Sequence, residues 1–246
     1  MSRGSTPTRL LRRCNLPGTP VMPSRLGQNP VCPLPLHTRR TSTSPHRVVA
    51  FARAGPYPFR TLPDYLRPGL DLVFVGINPG LYSVQRGHYF ARPTSRFWPA
   101  FSRSALSAPV RRSLGLAALG PAQDGALLKY GIGFTDVVKR PSRGAADLRL
   151  ADYREWAPRL RRRLMRYRPR VVCFHGLTAY RGFARYGLGL PSQPWVLGPQ
   201  PASLGQARLF VAPNPSPANA HFRPADYTAW YDRLAEFLRR VKVESR

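Results

Sequence analysis

Acid is scarce in this chain: 11 Asp and Glu stand against 39 Lys and Arg, for a formal net charge of +28. That imbalance exceeds what solubility requires, argues against a basic partner and suits a polyanionic one. Lysine is scarcer still, with only Lys129, Lys139 and Lys242, which leaves 39 − 3 = 36 Arg. Ala, Gly and Pro are abundant alongside Arg, and a GC-rich genome would favour all four through its codons. Charge alone therefore does not establish a binding role. Cysteine is limited to Cys14, Cys32 and Cys173, neither an even count for a disulfide framework nor spaced as metal ligands. A reducing cytosol suits them, and Cys173, inside the apolar run Val171–Phe174, reads as a small buried filler. Long apolar runs are missing too. Nothing approaches the roughly 18 residues that would suggest a membrane span.

Residues 1–63 contain no Asp or Glu and are rich in Arg, Pro, Ser and Thr without helical or strand periodicity. This composition reads as a disordered basic arm preceding one domain over 64–246. Two other readings stay open: a transit peptide, against which the helix-breaking prolines count, and a true start downstream, for instance at Met22.

From residue 64 short apolar runs alternate with helical stretches. Leu72–Val75, Val171–Phe174 and Leu209–Val211 have the length and character of strands buried on both faces of a parallel sheet. Tyr153, Trp156, Leu160, Leu164 and Tyr167 mark one face of a helix, and Pro158 within it predicts a kink or two abutting helices. A last helix follows Pro224, with Asp226 near its start, Arg239, Arg240 and Lys242 near its end, and Tyr227, Trp230, Leu234, Phe237, Leu238 and Val241 on its apolar face. The expected fold is α/β, a three-layer, doubly wound, mainly parallel sheet flanked by helices. Ligands of such sheets bind beyond the carboxyl ends of the strands, which selects the loops after Val75, Phe174 and Val211.

The first of these loops, Gly76-Ile77-Asn78-Pro79-Gly80, combines tight backbone geometry with an amide side chain held by a stiff turn. By itself it is an ordinary turn, and it lacks the lysine and spacing of phosphate-binding loops. Residues 87–98, Gly-His-Tyr-Phe-Ala-Arg-Pro-Thr-Ser-Arg-Phe-Trp, interleave aromatic and basic side chains, a mixture that can stack a base and neutralise phosphate. Phe97 and Trp98 are expected in the core, Phe90 nearer the mouth. The third loop, residues 213–222, holds a hydroxyl, amides and an imidazole among prolines, suited to gripping a nucleic-acid backbone.

In order and spacing these blocks resemble the mismatch-specific uracil-DNA and thymine-DNA glycosylase family. Gly76–Leu81 is similar to its first motif, and a Gly-His with a following aromatic, then Arg96-Phe97-Trp98, to its next block. Lys129–Asp136 resembles the middle block of the thymine-DNA branch, and Asn214-Pro215-Ser216 the second motif of the bacterial branch. The likeness covers about residues 70 to 240. It implies a monofunctional glycosylase, without cofactor or metal, that flips uracil, with thymine or related bases as further candidates, mainly from G·U or G·T mismatches in double-stranded DNA. It also implies a monomer in the bacterial cytoplasm, associated with the nucleoid.

Under the resemblance, Asn78 would hold the attacking water, Gly76 and Ile77 would contact the extruded pyrimidine through their backbone, and Phe90 would stack on it. Ser95 replaces an Asn of both branches, and it would line the base pocket. Gly80, Ser216, Pro217, Ala218, Asn219 and His221 would lie against the DNA, although Pro217-Ala218-Asn219 offers nothing long to fill the gap left by a flipped base. Asp136 stands where the thymine-DNA branch has Asn and the bacterial branch Lys. An acid there either accepts the water's proton or stabilises charge on the sugar, or else pairs with an Arg or caps a loop. The competing readings are a uracil-DNA glycosylase of another branch acting on single strands and a non-catalytic nucleic-acid-binding protein on the same scaffold.

Overall fold

The computed structural model describes residues 57–244. The compositional arm lies outside the described residues up to position 56. Its last part does not: Leu62 is buried, and Tyr57 and Phe59 pack on Trp156 with ring centroids 5.3 and 6.0 Å away. The boundary at 63/64 therefore falls within packed structure, because absence of acid marks a compositional change while aromatic burial marks the edge of a core.

Five strands form one sheet in the order β2-β1-β3-β5-β4: β1 (Leu72–Gly76), β2 (Ile132–Asp136), β3 (Val171–His175), β4 (Gly198–Leu204) and β5 (Ala207–Ala212). β1 pairs in parallel with β2 and β3, β3 in parallel with β5, and β4 closes the edge antiparallel to β5. The expected doubly wound α/β sheet is thus observed. β4 carries two prolines, Pro199 and Pro201, which an edge strand tolerates because one of its sides needs no ladder hydrogen bonds.

Alternation along the strands divides the core into two layers. Leu72 and Phe74 of β1, Val171 and Cys173 of β3, and Phe210 and Ala212 of β5 face one side. There they meet α2 (Phe97–Arg103) and α6 (Pro224–Glu244), with short α1 (Leu81–Arg86) and α3 (Ala108–Leu114) on the same connection. Val73, Val75, Val172, Phe174, Leu209 and Val211 face the other side, against α4 (Leu150–Tyr167) and α5 (Leu177–Tyr186). Cys173 is a buried filler, its thiol pushed far up by burial. On α6 the centre of the apolar face is Tyr231, while Trp230 and Leu238 pack at its margin. No helix among the described residues is long and apolar enough to cross a membrane.

The chain leaves β1 for β2 on one side and returns to β3 on the other, so the sheet reverses direction around β1. At such a switch point, beyond the carboxyl ends of β1 and β3, sheets of this kind form their binding cleft.

α4 is one continuous helix with Pro158 at its middle, not two abutting ones. Proline there has no N–H for the carbonyl one turn earlier, an interior penalty of about 3 kcal/mol relative to Ala. Packing of Tyr153, Trp156, Leu160 and Leu164 on the sheet side holds the helix together despite it. Pro158→Ala is accordingly expected to stabilise the domain by roughly 1–3 kcal/mol, read as a higher Tm in calorimetry. An unchanged or lower Tm would mean that the packing depends on the proline.

Candidate active site

Four loops meet at the cleft: those after β1, β3 and β5, as the fold rule selects, and the one after β2. Parallel pairing sets Gly76 directly beside Asp136, and the two chains continue together, Val137 N–H donating to Gly76 O (2.9 Å) and Val138 N–H to Ile77 O (3.0 Å). Gly76 is required there, since a Cβ would collide with Asp136 Oδ1. Gly76 and Ile77 are buried, while Asn78 and Gly80 are partly exposed. Gly80 begins α1, and the turn is tied to Ser142 through Leu81 N–H to Ser142 O (3.1 Å).

The orientation of Asn78 follows from its neighbours. Its Nδ2 donates to Ser142 Oγ (2.8 Å), Arg140 O (3.2 Å) and Pro79 O (3.2 Å). Ser142 Oγ gives its own proton to Gly144 O (2.6 Å) and so can only accept from Asn78. With three acceptors on one side, the amide nitrogen must face them. The carbonyl oxygen is left free to accept a hydrogen bond from a water.

Asp136 ends β2 as a buried carboxyl whose Oδ2 has no hydrogen-bond partner among the described residues. The nearest cation is fully buried Lys139, whose Nζ lies 3.7 Å from Asp136 Oδ2 but 3.0 Å from Asp64 Oδ1. The same ammonium donates to Tyr89 OH (3.3 Å), which in turn donates to Pro63 O (2.9 Å). Asp64 also accepts from Thr135 Oγ1 (2.6 Å) and Tyr57 OH (3.2 Å), and pairs with Arg163 (3.3 Å). Lys139 and Arg163 hold the Asp64 carboxyl below the usual range despite the opposing effect of burial. For Asp136 burial dominates. It lifts that carboxyl to about 6, against the pull of Lys139 and aided by the charge of Asp64.

Phe90 takes a left-handed backbone conformation (φ 54°), which is strained by about 1–2 kcal/mol for a residue with a side chain. Its partly exposed ring stacks on buried Phe97 (centroids 4.3 Å, 18° between planes) and meets the His175 ring edge-on (5.1 Å). Trp98 is buried, with Nε1 donating to Tyr89 O (2.9 Å). Asp124 secures the segment before Phe90, accepting from Tyr89 N–H (2.8 Å) and contacting His88 Nδ1 (3.1 Å). His175 is the last residue of β3, at one of the strand ends where the fold rule expects ligands, and its immediate sequence carries no signal of a site. Burial depresses its imidazole to about 3, so it is neutral, and Nε2 is paired with Tyr231 OH (3.0 Å) while Nδ1 has no hydrogen-bond partner among the described residues. Gly176, at φ 92° and ψ 150°, turns the chain away behind it in a conformation open essentially to glycine.

Ser95 lies one turn from Phe90 and partly satisfies the start of α2, its Oγ accepting weakly from Phe97 N–H (3.4 Å). Arg96 points away from solvent and clamps the 213–222 loop, donating to Asn219 O (2.6 Å), Phe222 O (3.1 Å) and Tyr227 OH (3.1 Å). Its own N–H reaches Pro215 O (3.0 Å). Asn214 folds the loop inward, accepting from Ser216 N–H (3.1 Å). Ser216 and Asn219 are half-buried, and Pro217, Ala218 and His221 are exposed along the rim. The structure therefore brings Gly76, Ile77, Asn78 and Asp136 together and sets Phe90 with Ser95 and the Ser216 loop around Arg96. His221 stands apart, beside Trp230 and Arg233 in a separate hollow of about 250 Å³. No three His, Cys, Asp or Glu side chains among the described residues are grouped as metal ligands.

Comparison with known proteins adds an independent line. The family model of the uracil DNA glycosylase superfamily matches residues 63–235. A G/U mismatch-specific uracil DNA glycosylase of Schizosaccharomyces pombe is 34% identical over 159 residues, covering 63% of this chain and 47% of the relative. The chain thus spans about half the length of that relative. A solution structure from Methanosarcina acetivorans, provisionally assigned as a uracil DNA glycosylase, superposes with a TM-score of 0.46 at 20% identity, over 74% of this chain and 98% of the other. With the family model matching well over half of its residues, the chain belongs to the uracil DNA glycosylase superfamily.

Proposed function

We propose that this protein is a monofunctional DNA glycosylase that flips uracil out of G·U mismatches in double-stranded DNA and hydrolyses its bond to the sugar. The observation that carries the reading is the combination of an Asn78 carbonyl freed by its three-acceptor anchor with an Asp136 carboxyl, beside Gly76, whose Oδ2 receives no hydrogen bond among the described residues. The superfamily membership and the name of the S. pombe relative support the substrate class.

A mispaired base is the least costly to extrude, by a few kcal/mol, so selectivity begins before any chemistry. Phe90 stacks on the extruded base with Phe97 as its backing, while backbone groups around Gly76 and Ile77 meet the base edge, beside Ser95. Charge builds on the leaving base and on the sugar in the transition state, and fixed dipoles at the base oxygens lower that barrier. Asn78 orients the water. A neutral amide cannot take its proton, and Asp136 does so. Gly80, Ser216, Pro217, Ala218 and Asn219 rest on the DNA backbone, and His221 contacts it farther along.

The short side chains of Pro217, Ala218 and Asn219 favour a second activity, excision of uracil from single strands, since strand insertion matters little there. Duplexes with G·U, A·U or G·T and single-stranded uracil, each incubated with the protein and then cleaved with alkali, distinguish these cases. Binding without strand breaks on every substrate would leave only a nucleic-acid-binding protein.

Asn78→Ala is expected to slow single-turnover excision from a G·U duplex by roughly 10²-fold or more with DNA affinity retained, the scale of a misplaced reactant. A near-normal rate would remove Asn78 from the mechanism. Asp136→Asn is expected to cost roughly 10²-fold or more in the same assay. It also carries a stability signature. A carboxyl raised in the folded state from 3.8 to about 6 gives stability that is present below 3.8 and lost as pH rises through 6. At neutral pH that loss is about 3 kcal/mol, so the Asn variant is expected to be as stable as the parent or more so at neutral pH, by urea unfolding. A variant that is fast, or clearly less stable, would make Asp136 a structural residue.

A further inference from the structure

The segment before β1 does more than cover the sheet edge. Tyr65 forms an antiparallel bridge to Phe134 of β2, exchanging N–H···O bonds of 2.9 and 3.1 Å. This places the neighbouring Asp64 beneath the end of β2, where its Oδ1 receives both Thr135 Oγ1 and the Lys139 ammonium. Lys139 has two carboxyls within reach and sits nearer the first, 3.0 against 3.7 Å. Its remaining hydrogen bond goes to Tyr89 OH.

We propose that Asp64 is a positioning residue for catalysis: it draws the Lys139 ammonium toward itself, so that the Asp136 carboxylate keeps only the longer ion pair with that ammonium and stays able to accept the proton of the attacking water. This rests on the reading of Asp136 as the proton acceptor. Two observations support the division of labour. Asp64 has a full set of partners, Lys139, Thr135, Arg163 and Tyr57, whereas Asp136 Oδ2, in the same buried cluster, has the longer ion pair to Lys139 and no hydrogen bond among the described residues. The groups facing Asp136 are Lys139 from its own loop, Asp64 from the segment before β1 and Tyr89 from the segment before α2. Gly76 on β1 brings no side chain. Among these, Asp64 is the one whose removal both frees Lys139 to pair with Asp136 and deletes a repelling negative charge. A well-paired carboxylate is a weak base, and a weak base near its partner cation is a poor acceptor for a water proton.

The test is the pH profile of single-turnover uracil excision from a G·U duplex by the full chain. In the parent, the rate is expected to fall on the acid side with a midpoint near 6, the value set for Asp136. In Asp64→Asn, that limb is expected to move about one unit lower and the plateau rate to drop roughly tenfold, with duplex affinity unchanged. Arg163→Met works in the opposite direction. Its loss leaves the charge of Asp64 to Lys139 alone, so the limb is expected to move upward, and partly exposed Arg163 allows this variant to carry the test if Asp64→Asn does not fold. A limb unmoved in either folded variant would overturn the proposal. The Asp136→Asn rate separates the two levels: a slow Asn variant with an unmoved limb in Asp64→Asn refutes the role of Asp64 alone, whereas a fast Asn variant refutes the proton-acceptor reading and this inference with it.

Discussion

The ammonium of Lys139, one of three lysines in the chain, is fully buried under the carboxyl end of the sheet. Removing such a charge from water costs several kcal/mol unless nearby groups replace the solvent. The replacements are Asp64, Tyr89 OH and, at longer range, Asp136. Each comes from a different piece of chain, so this one requirement ties the segment before β1, the aromatic segment before α2 and the loop after β2 to one point. Arg163 of α4 extends the set by binding the outer oxygen of Asp64. Breaking such a cluster by removing one partner is expected to be far more damaging than replacing the whole cluster with apolar groups. Retaining it makes sense where one of its carboxyls has work to do.

What the cluster leaves over is one carboxyl oxygen, Asp136 Oδ2, without a hydrogen bond among the described residues, and the loop after β1 leaves over an amide oxygen. Both arise the same way, by assigning the available partners elsewhere. Asn78 gives all its donor capacity to Ser142, Arg140 and Pro79. Lys139 leans toward Asp64. Parallel pairing of β1 with β2 then brings the two loops together, and Gly76 keeps the space between them clear for Asp136. On the other side of the cleft, the strained Phe90 backbone is supported by the Phe97 stack and by His88–Asp124, and the 213–222 loop is held by Arg96. The rim is thus braced by side chains packed and hydrogen-bonded behind it.

Much of this was legible in residue order. β1, β3 and β5 announce themselves as apolar runs because a central parallel strand is buried on both faces. β2 does not, since Ile-Gly-Phe-Thr-Asp mixes a glycine needed for close packing with a polar end, and β4 hides behind its prolines. The resemblance to family blocks points to Asn78, Phe90 and Asp136, and the fold sets Asp136 directly beside Gly76, at the start of the loop that carries Asn78. Three things depended on packing and could not be read from pattern. Residues just before Asp64, among them Tyr57, Phe59 and Leu62, pack with the domain although they belong to the acid-free stretch. Arg96, in a block suggestive of phosphate contact, spends its guanidinium on loop carbonyls. His175 is a buried neutral imidazole, and nothing in its immediate sequence reveals that Tyr231, far along the chain, is its partner.

The most direct test of this account is the titration of the Asp136 carboxyl itself, followed by carbon-detected NMR on the full chain with Asp136→Asn used to assign the signal. The account predicts a midpoint near 6, well above the 3.8 of an ordinary Asp, with the Asp64 signal still ionised through the same range. An Asp136 that titrates at or below 3.8 would be a well-paired structural carboxylate and would contradict the account.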